Sequence, residues 1–350
     1  MNVRTGLSYG DVLVVPQRSP VDSRSDVSLE TELAPGLTLD APVLSAPMDS
    51  VTEADAAIEL SRLGGLGVVH RFLPVEKQAA EVEAVVDAGE QVAAALGIAE
   101  DHTERAQALV DAGVDALVLD VAHGHMEAAI DVTRELAGDF PDTPLVSGNV
   151  ATKQGVHDLA DAGADCVKVG IGPGSHCTTR EVAGAGVPQF TAVTDAAEAA
   201  DEAGVTTIAD GGIQTSGDAV KALVGGADAV MMGGFFMGTP EAPGETVEVD
   251  GVKYKRTRGM STGAAMERRE DKDGRPDADE GVESMVALKR PLETELREFL
   301  GGVRSGVSYC GAHTLDDARE NSEFIRLTPE GKARSGAHGV ARSETTGRSD

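Results

Sequence analysis

Cysteines, cations and long apolar runs are all scarce in this chain. Three cysteines in 350 residues, Cys166, Cys177 and Cys310, with no Cys-x-x-Cys pair, exclude a disulfide framework and a zinc ribbon and fit a reducing compartment. No stretch approaches the roughly 18 apolar residues of a membrane span. The N-terminal segment holds one four-residue apolar run before Pro16, so no secretory signal is expected and the expected location is cytoplasmic. Lys and Arg total 30 against 59 Asp and Glu, a formal net charge of -29. A surface of that sign repels polyphosphate backbones, which excludes nucleic acid as a general partner. The acids are scattered rather than run together, so they describe a solvated coat over an ordinary core that is 41% apolar. Such a coat suits a cytoplasm of very high salt, where charges are screened within about 3 Å at molar concentration.

What is present is an alternation. Eight short runs rich in Val, Ile, Leu and Ala predict strands: Val43 to Met48, Leu66 to His70, Val92 to Ile98, Ala116 to Ala122, Leu145 to Val150, Cys166 to Ile171, Thr206 to Gly211 and Ala229 to Gly233. Between them Glu53 to Leu63, Thr103 to Ala112, Lys153 to Ala162, Asp195 to Ala203 and Ser216 to Val224 carry helical apolar spacing. A faint repeat, Asp111-Ala112-Gly113-Val114-Asp115, Asp161-Ala162-Gly163-Ala164-Asp165 and Gly225-Gly226-Ala227-Asp228, stands each time between a helix and the next strand. Glycine suits that place because it takes the left-handed conformation without strain. Eight buried strands with helical crossovers predict an α/β fold, a (β/α)8 barrel, ahead of a doubly wound open sheet. The expected organisation is one domain over residues 1–334, with a short flap insertion at about 241–291 and a disordered tail over 335–350. Within the insertion a hairpin is expected around Asp250-Gly251, followed by a mobile polar loop from Glu267 to Pro276.

Barrel enzymes gather their chemistry at the C-terminal ends of strands, so the residues after each run matter most. After the sixth run comes Gly170-Ile171-Gly172-Pro173-Gly174-Ser175-His176-Cys177-Thr178-Thr179-Arg180. Its glycines let backbone groups face a bound ion or phosphate, and a thiolate on the same loop is a strong nucleophile. The loop alone fits equally a tight turn around a buried thiol. Asp210-Gly211-Gly212 follows the seventh run and Gly233-Gly234 the eighth, where barrels often hold phosphate, and an acid beside two glycines suits a sugar diol.

With these loops the chain resembles the IMP dehydrogenase and GMP reductase family over nearly its whole length. The likeness is carried by Tyr9 to Pro16, Ser45 to Glu53, Gly148-Asn149-Val150, the Gly170 to Arg180 loop, Ala209 to Ile213, Arg258-Gly259-Met260 and Tyr309-Cys310-Gly311-Ala312. The resemblance implies a barrel, a homotetramer, a purine nucleoside monophosphate as substrate and a nicotinamide cofactor. The family's dehydrogenases commonly carry paired CBS modules between the second strand and the next helix; here His70 to Glu76 runs straight on, so none is expected. By the same resemblance Cys177 attacks C2 of the purine, with Thr179 and Glu280 handling protons. Ser175, Gly212, Gly233, Gly234, Gly259 and Met260 bind the nucleotide, and Asp210 takes its ribose hydroxyls. Ser45, Asp49, Asp120 and Asn149 lie toward the nicotinamide end, and carbonyls of Gly172, Gly174 and Cys177 match those that bind K+.

The reaction direction turns on what meets the cysteine adduct. The family's dehydrogenases bring an Arg-Tyr pair on the flap to activate water, and this chain has no tyrosine between Tyr254 and Tyr309. Gly233-Gly234, Gly259-Met260-Ser261 and Asp120-Val121-Ala122 resemble the reductase forms. Ile213-Gln214, Glu241 to Glu245 and His123-Gly124-His125 look more like the dehydrogenase branch, and Thr257 replaces an aromatic residue usual in both. A base required for a step outweighs general similarity, so the resemblance implies NADPH-dependent reduction of GMP. The alternatives are an NAD-dependent IMP dehydrogenase using Arg268, Arg269 or Arg275, and a non-catalytic nucleotide-binding barrel. Cys166 reads as packing, and His123 with His125 lacks a third ligand in register for a metal.

The acidic coat carries its own test. Stability against urea is expected to rise steeply from low to molar KCl; equal stability at both ends would remove salt adaptation from the account.

Overall fold

The computed structural model describes residues 3–99, 101–175, 177–258 and 283–335. Each apolar run forms a strand of one closed parallel barrel. The strands are β1 (Val43–Ser45), β2 (Leu66–Val69), β3 (Val92–Leu96), β4 (Ala116–Asp120), β5 (Leu145–Val150), β6 (Cys166–Val169), β7 (Thr206–Asp210) and β8 (Ala229–Met232), and β8 pairs back onto β1. Most are shorter than the apolar runs because the last residues of each run leave the ladder and enter the loops at the barrel mouth. Helices α1 (Ala54–Arg62), α2 (Val75–Asp87), α3 (His102–Asp111), α4 (Glu127–Asp139), α5 (Lys153–Asp161), α6 (Gln189–Ala203), α7 (Ser216–Val224) and α8 (Leu292–Tyr309) follow the strands in turn. Helix α6 starts at Gln189 and not at Asp195, because Pro188 with φ -54° ends the preceding loop and launches the first turn directly. Only His70 to Pro74 joins β2 to α2, so no CBS module stands there.

Side chains alternate along each strand between the barrel interior and the helix layer. The interior is filled by small and medium groups, among them Leu44, Val68, Ala93, Ala95, Val118, Val146, Cys166, Ile208 and Met231. A hairpin of Thr31–Ala34 with Leu37–Leu39 closes one end, burying Leu33, Leu37 and Leu39 in the same core. The Thr206 hydroxyl donates to the Leu33 carbonyl and ties this plug to β7. Cys166 is fully buried in that interior, and burial pushes its thiol well above the usual range.

The faint repeat has a mechanical meaning. Gly113, Gly163 and Gly226 all take positive φ, at 90°, 103° and 114°. Each turn delivers an aspartate to the start of the next strand, where it grips the start of the strand before. Asp115 Oδ2 accepts the Val92 amide at 2.7 Å, Asp165 Oδ2 the Leu145 amide at 2.8 Å and Asp228 Oδ2 the Thr207 amide at 2.7 Å. The amide of each aspartate donates back to the carbonyl of the same residue at 2.9 Å. Three strand pairs, β3 with β4, β5 with β6 and β7 with β8, are thus fastened alike. Burial raises the carboxyls of Asp115 and Asp228 above their ordinary value.

The insertion after β8 forms an antiparallel sheet of β9 (Thr246–Val249), β10 (Val252–Arg258) and β11 (Glu283–Ala287). Its first turn is the expected hairpin, with Asp250 at φ 52° and Gly251 at φ 79°. The polar loop from Glu267 to Pro276 and residues 336–350 of the tail lie outside the described residues. At the other terminus Val12–Val14 pairs antiparallel with Phe324–Arg326. No helix among the described residues is long and apolar enough to cross a membrane.

Gly226→Ala tests the repeat. A Cβ there would stand 2.4 Å from the Ala197 Cβ at a φ of +114°, so it is expected to cost about 2–3 kcal/mol, read as a lower urea midpoint.

Candidate active site

Four strands end on polar residues at the barrel mouth. Asp120 closes β4, Asn149 lies on β5, Lys168 on β6 and Asp210 closes β7. The Lys168 ammonium donates to Asp120 Oδ1 at 2.7 Å, to Asp210 Oδ2 at 2.9 Å and to Asn149 Oδ1. Asn149 Nδ2 donates in turn to Asp210 Oδ2 at 2.8 Å and to the Gly170 carbonyl at 2.9 Å. Burial alone would strip the proton from Lys168, but Asp120 and Asp210 together outweigh it and hold the ammonium above the ordinary lysine value. Its neighbour in register is Gly148, where a Cβ would stand 2.6 Å from that of Lys168, so only glycine leaves the lysine its passage.

The loop after β6 carries the thiol. Cys177 Sγ donates to Thr179 Oγ1 at 3.1 Å, and Thr179 opens a single helical turn, Thr179–Val182. Arg180 holds the loop closed by donating from Nε to the Ile171 carbonyl at 3.1 Å and from Nη2 to the Val187 carbonyl at 2.6 Å. Burial lowers the Arg180 guanidinium from its ordinary value while the nearby Cys177 acts in the opposite sense. The Gly174 carbonyl accepts the Cys177 amide at 3.1 Å and keeps a second lone pair.

Glycines bring three loops together. A Cβ on Gly211 would stand 3.0 Å from Pro173 Cγ and 3.3 Å from the Gly174 amide nitrogen. One on Gly212, at φ +76°, would stand 3.4 Å from Pro173 Cβ. One on Gly234 would stand 3.2 Å from the Ser175 hydroxyl, and one on Gly233 3.1 Å from Met48 Sδ. Gly211 and Gly212 thus pack against Pro173 and Gly174, and Gly234 against Ser175, and backbone approaches this close suit a phosphate cradle. Gln189 Nε2 bridges β6 and β7 beside it, donating to the Val169 carbonyl at 2.8 Å and the Asp210 carbonyl at 3.0 Å. Lys289, just beyond β11, donates to the carbonyls of Gly234 at 2.9 Å and Phe235 at 2.7 Å and so fastens the insertion to this loop.

The sequence-derived residues thus fall into groups. Cys177 meets Thr179, Ser175 meets Gly234, and Asp120, Asn149 and Asp210 meet one another through Lys168. Ser45 is buried and its hydroxyl accepts from Thr52 at 2.8 Å, so it faces the protein's own loop; Asp49 is half-buried beyond it. Thr257 is buried and shares a 2.9 Å hydrogen bond with Ser284 across β10 and β11. Glu280, Gly259, Met260 and His176 lie outside the described residues. His125 pairs with Asp158 at 2.7 Å and sets its ring edge-on to His123, and no metal-ligand cluster occurs among the described residues. Lys168, Arg180, Gln189 and Lys289 were not anticipated. For Lys168 a signal existed, one cation inside an otherwise apolar strand at an inward position.

A barrel mouth with a loop thiol, a glycine cradle and paired acids also describes known proteins. A family model described as IMP dehydrogenase / GMP reductase domain matches residues 6–338, and the chain belongs to that family of oxidoreductases, which use nicotinamide nucleotide cofactors. Inosine-5'-monophosphate dehydrogenase of Nitrosopumilus maritimus is 34% identical over 473 aligned positions, covering 97% of this chain and 99% of the relative. That alignment is longer than the chain's own 350 residues, so the relative carries inserted segments absent here. The Borreliella burgdorferi inosine-5'-monophosphate dehydrogenase is 37% identical over 395 positions, covering 96% and 98%. Among solved structures, a cysteine-to-alanine variant of GMP reductase from Trypanosoma brucei in complex with guanosine 5'-monophosphate matches with a TM-score of 0.92 and 32% identity, covering 97% of this chain and 99% of the other.

Lys289→Ala tests the fastening of the cradle. Amides from Gly233 to Gly238 are expected to exchange several-fold faster with deuterium, at a cost of about 1–2 kcal/mol in overall stability; unchanged exchange would remove the lysine from this role.

Proposed function

We propose that the protein is a GMP reductase, converting GMP to IMP and ammonia with NADPH. The observation that carries the direction is the flap sequence: residues 259–282 contain no tyrosine and hence no Arg-Tyr pair to activate water at the adduct. The T. brucei structure with GMP supports the substrate class, and the Cys177–Thr179 contact supports the chemistry.

In this reading the Cys177 thiolate adds to C2 of the purine, and the exocyclic amine takes a proton and leaves as ammonia. Thr179, in hydrogen-bond contact with the sulfur, positions the nucleophile and passes protons, with Glu280 as its partner. The bound nicotinamide cofactor supplies the hydride that C2 needs. As the C2–hydrogen bond forms, the C2–sulfur bond breaks and Cys177 returns as a thiolate. GMP, NADPH and two protons thus become IMP, oxidised cofactor and ammonium, and the balance closes. Ser175, Gly212, Gly233, Gly234, Gly259 and Met260 hold the nucleotide, Asp210 its ribose. The carbonyls of Gly172, Gly174 and Cys177 are oxygen donors on one tight loop, which suits K+. Asp120 and Asn149 serve the nicotinamide side, and the partly exposed Asp120 carboxylate suits a ribose hydroxyl donor there.

The sequence relatives favour a second reading, an NAD-dependent IMP dehydrogenase. Absorbance at 340 nm in molar KCl separates the two. GMP with NADPH is expected to lose absorbance, and Cys177→Ala to slow that loss by about 10³-fold or more. A rise with IMP and NAD alone would establish the dehydrogenase instead. Nucleotide binding without either turnover would leave a non-catalytic barrel.

A further inference from the structure

Asp120 and Asp210 close two different strands and, in the function proposed above, serve two different ligands. They nevertheless share one cation. Lys168 is 1% exposed, and its three N–H donors meet three acceptors, Asp120 Oδ1, Asp210 Oδ2 and Asn149 Oδ1. Among the described residues, the charged groups acting on the lysine are these two carboxylates. Each carboxylate spends one oxygen on the lysine. The other oxygen has no hydrogen bond among the described residues, and the side chains are 27% and 22% exposed, enough to meet a ligand.

We propose that Lys168 is a positioning residue that couples the two ligand sites, acting as the common counter-ion of the nucleotide-side Asp210 and the cofactor-side Asp120. This rests on the assignment of Asp210 to the nucleotide and Asp120 to the cofactor. The coupling follows from charge. Two carboxylates and one ammonium leave a net charge of about -1 spread over both acids in a poorly solvated site. When Asp120 loses its charge, the lysine turns its whole field on Asp210 and makes it a poorer acceptor for a ribose hydroxyl. The remaining groups facing the cluster do not compensate. Asn149 and Gln189 are neutral, Arg180 spends its guanidinium on the carbonyls of Ile171 and Val187, and burial keeps the Tyr9 phenol, near Asp210 and Asp218, protonated. Asn149 adds geometry, since Oδ1 on the lysine and Nδ2 on Asp210 fix the amide in one orientation.

Removing the lysine has a different signature. Without the cation the two carboxylates repel each other, and a like charge nearby favours proton uptake by one of them. Lys168→Met is therefore expected to make nucleotide affinity depend on pH between 6 and 8 more steeply than in the unmodified protein. Asp120→Asn/Lys168→Met leaves a single carboxylate with no like charge to share a proton with, and the extra pH dependence is expected to vanish.

The experiment is calorimetric titration of GMP and IMP into the full chain in molar KCl, without cofactor, at pH 6, 7 and 8. Asp120→Asn, nearly isosteric and still able to accept from the lysine, is expected to weaken nucleotide binding three- to tenfold although it lies on the cofactor side. Affinities within twofold of the unmodified protein for Asp120→Asn, or no added pH dependence in Lys168→Met, would overturn the coupling while leaving the proposed function standing. If the unmodified protein binds neither nucleotide, the function fails and the coupling with it.

Discussion

One buried ammonium governs the mouth of this barrel. A lysine at an inward strand position costs several kcal/mol in desolvation unless it is paired and hydrogen-bonded. The barrel meets that demand by ending β4 and β7 on aspartate and by placing Asn149 between them. The neighbouring strand carries glycine at position 148, where a Cβ would strike the Cβ and the carbonyl oxygen of Lys168. Polar chemistry at the mouth and apolar packing below it are thus consequences of one placement.

The second constraint is close approach of backbone. The cysteine loop, Gly211-Gly212 and Gly233-Gly234 come from three neighbouring strands, and the cysteine loop meets Gly211 at Pro173 and Gly174 and Gly234 at Ser175, at distances that leave little room for a Cβ. Arg180 ties the two ends of the cysteine loop, and Lys289 ties the Gly234 turn to the insertion. Both do so through backbone carbonyls and leave the side chains of these loops uninvolved. Cys177 meets Thr179 within a loop already braced, which is the order of construction that nucleophilic catalysis requires.

The fold was legible in the sequence because buried parallel strands leave uninterrupted apolar runs, and eight of them recur at crossover spacing. The loops of the site were legible because glycine, proline and cysteine gather in one short segment and glycine pairs follow the next two apolar runs. What escaped is what acts through side chains at a distance in sequence. Lys168 interrupts an apolar strand, and only the closed barrel brings β4, β5 and β7 to it with its partners. Gln189 and Lys289 hold carbonyls, and a carbonyl leaves no trace in the letters of its own residue. Ser45 sits in a recognisable motif, yet its hydroxyl turns toward Thr52, a choice made by local packing. The start of α6 was hidden because Gln189, Thr191 and Thr194 blur the apolar spacing of its first turns.

The three aspartate clasps divide the barrel into units. Each spans 20 to 23 residues and fastens a strand to its successor, β3 to β4, β5 to β6 and β7 to β8. The joins between these units carry no such clasp. The stretch from His70 to Pro74, between β2 and the helix that leads into the first fastened pair, likewise lies outside all three clasps. A chain can be opened at such a place without breaking a clasp, so the same arrangement that closes this barrel leaves room for an insertion there.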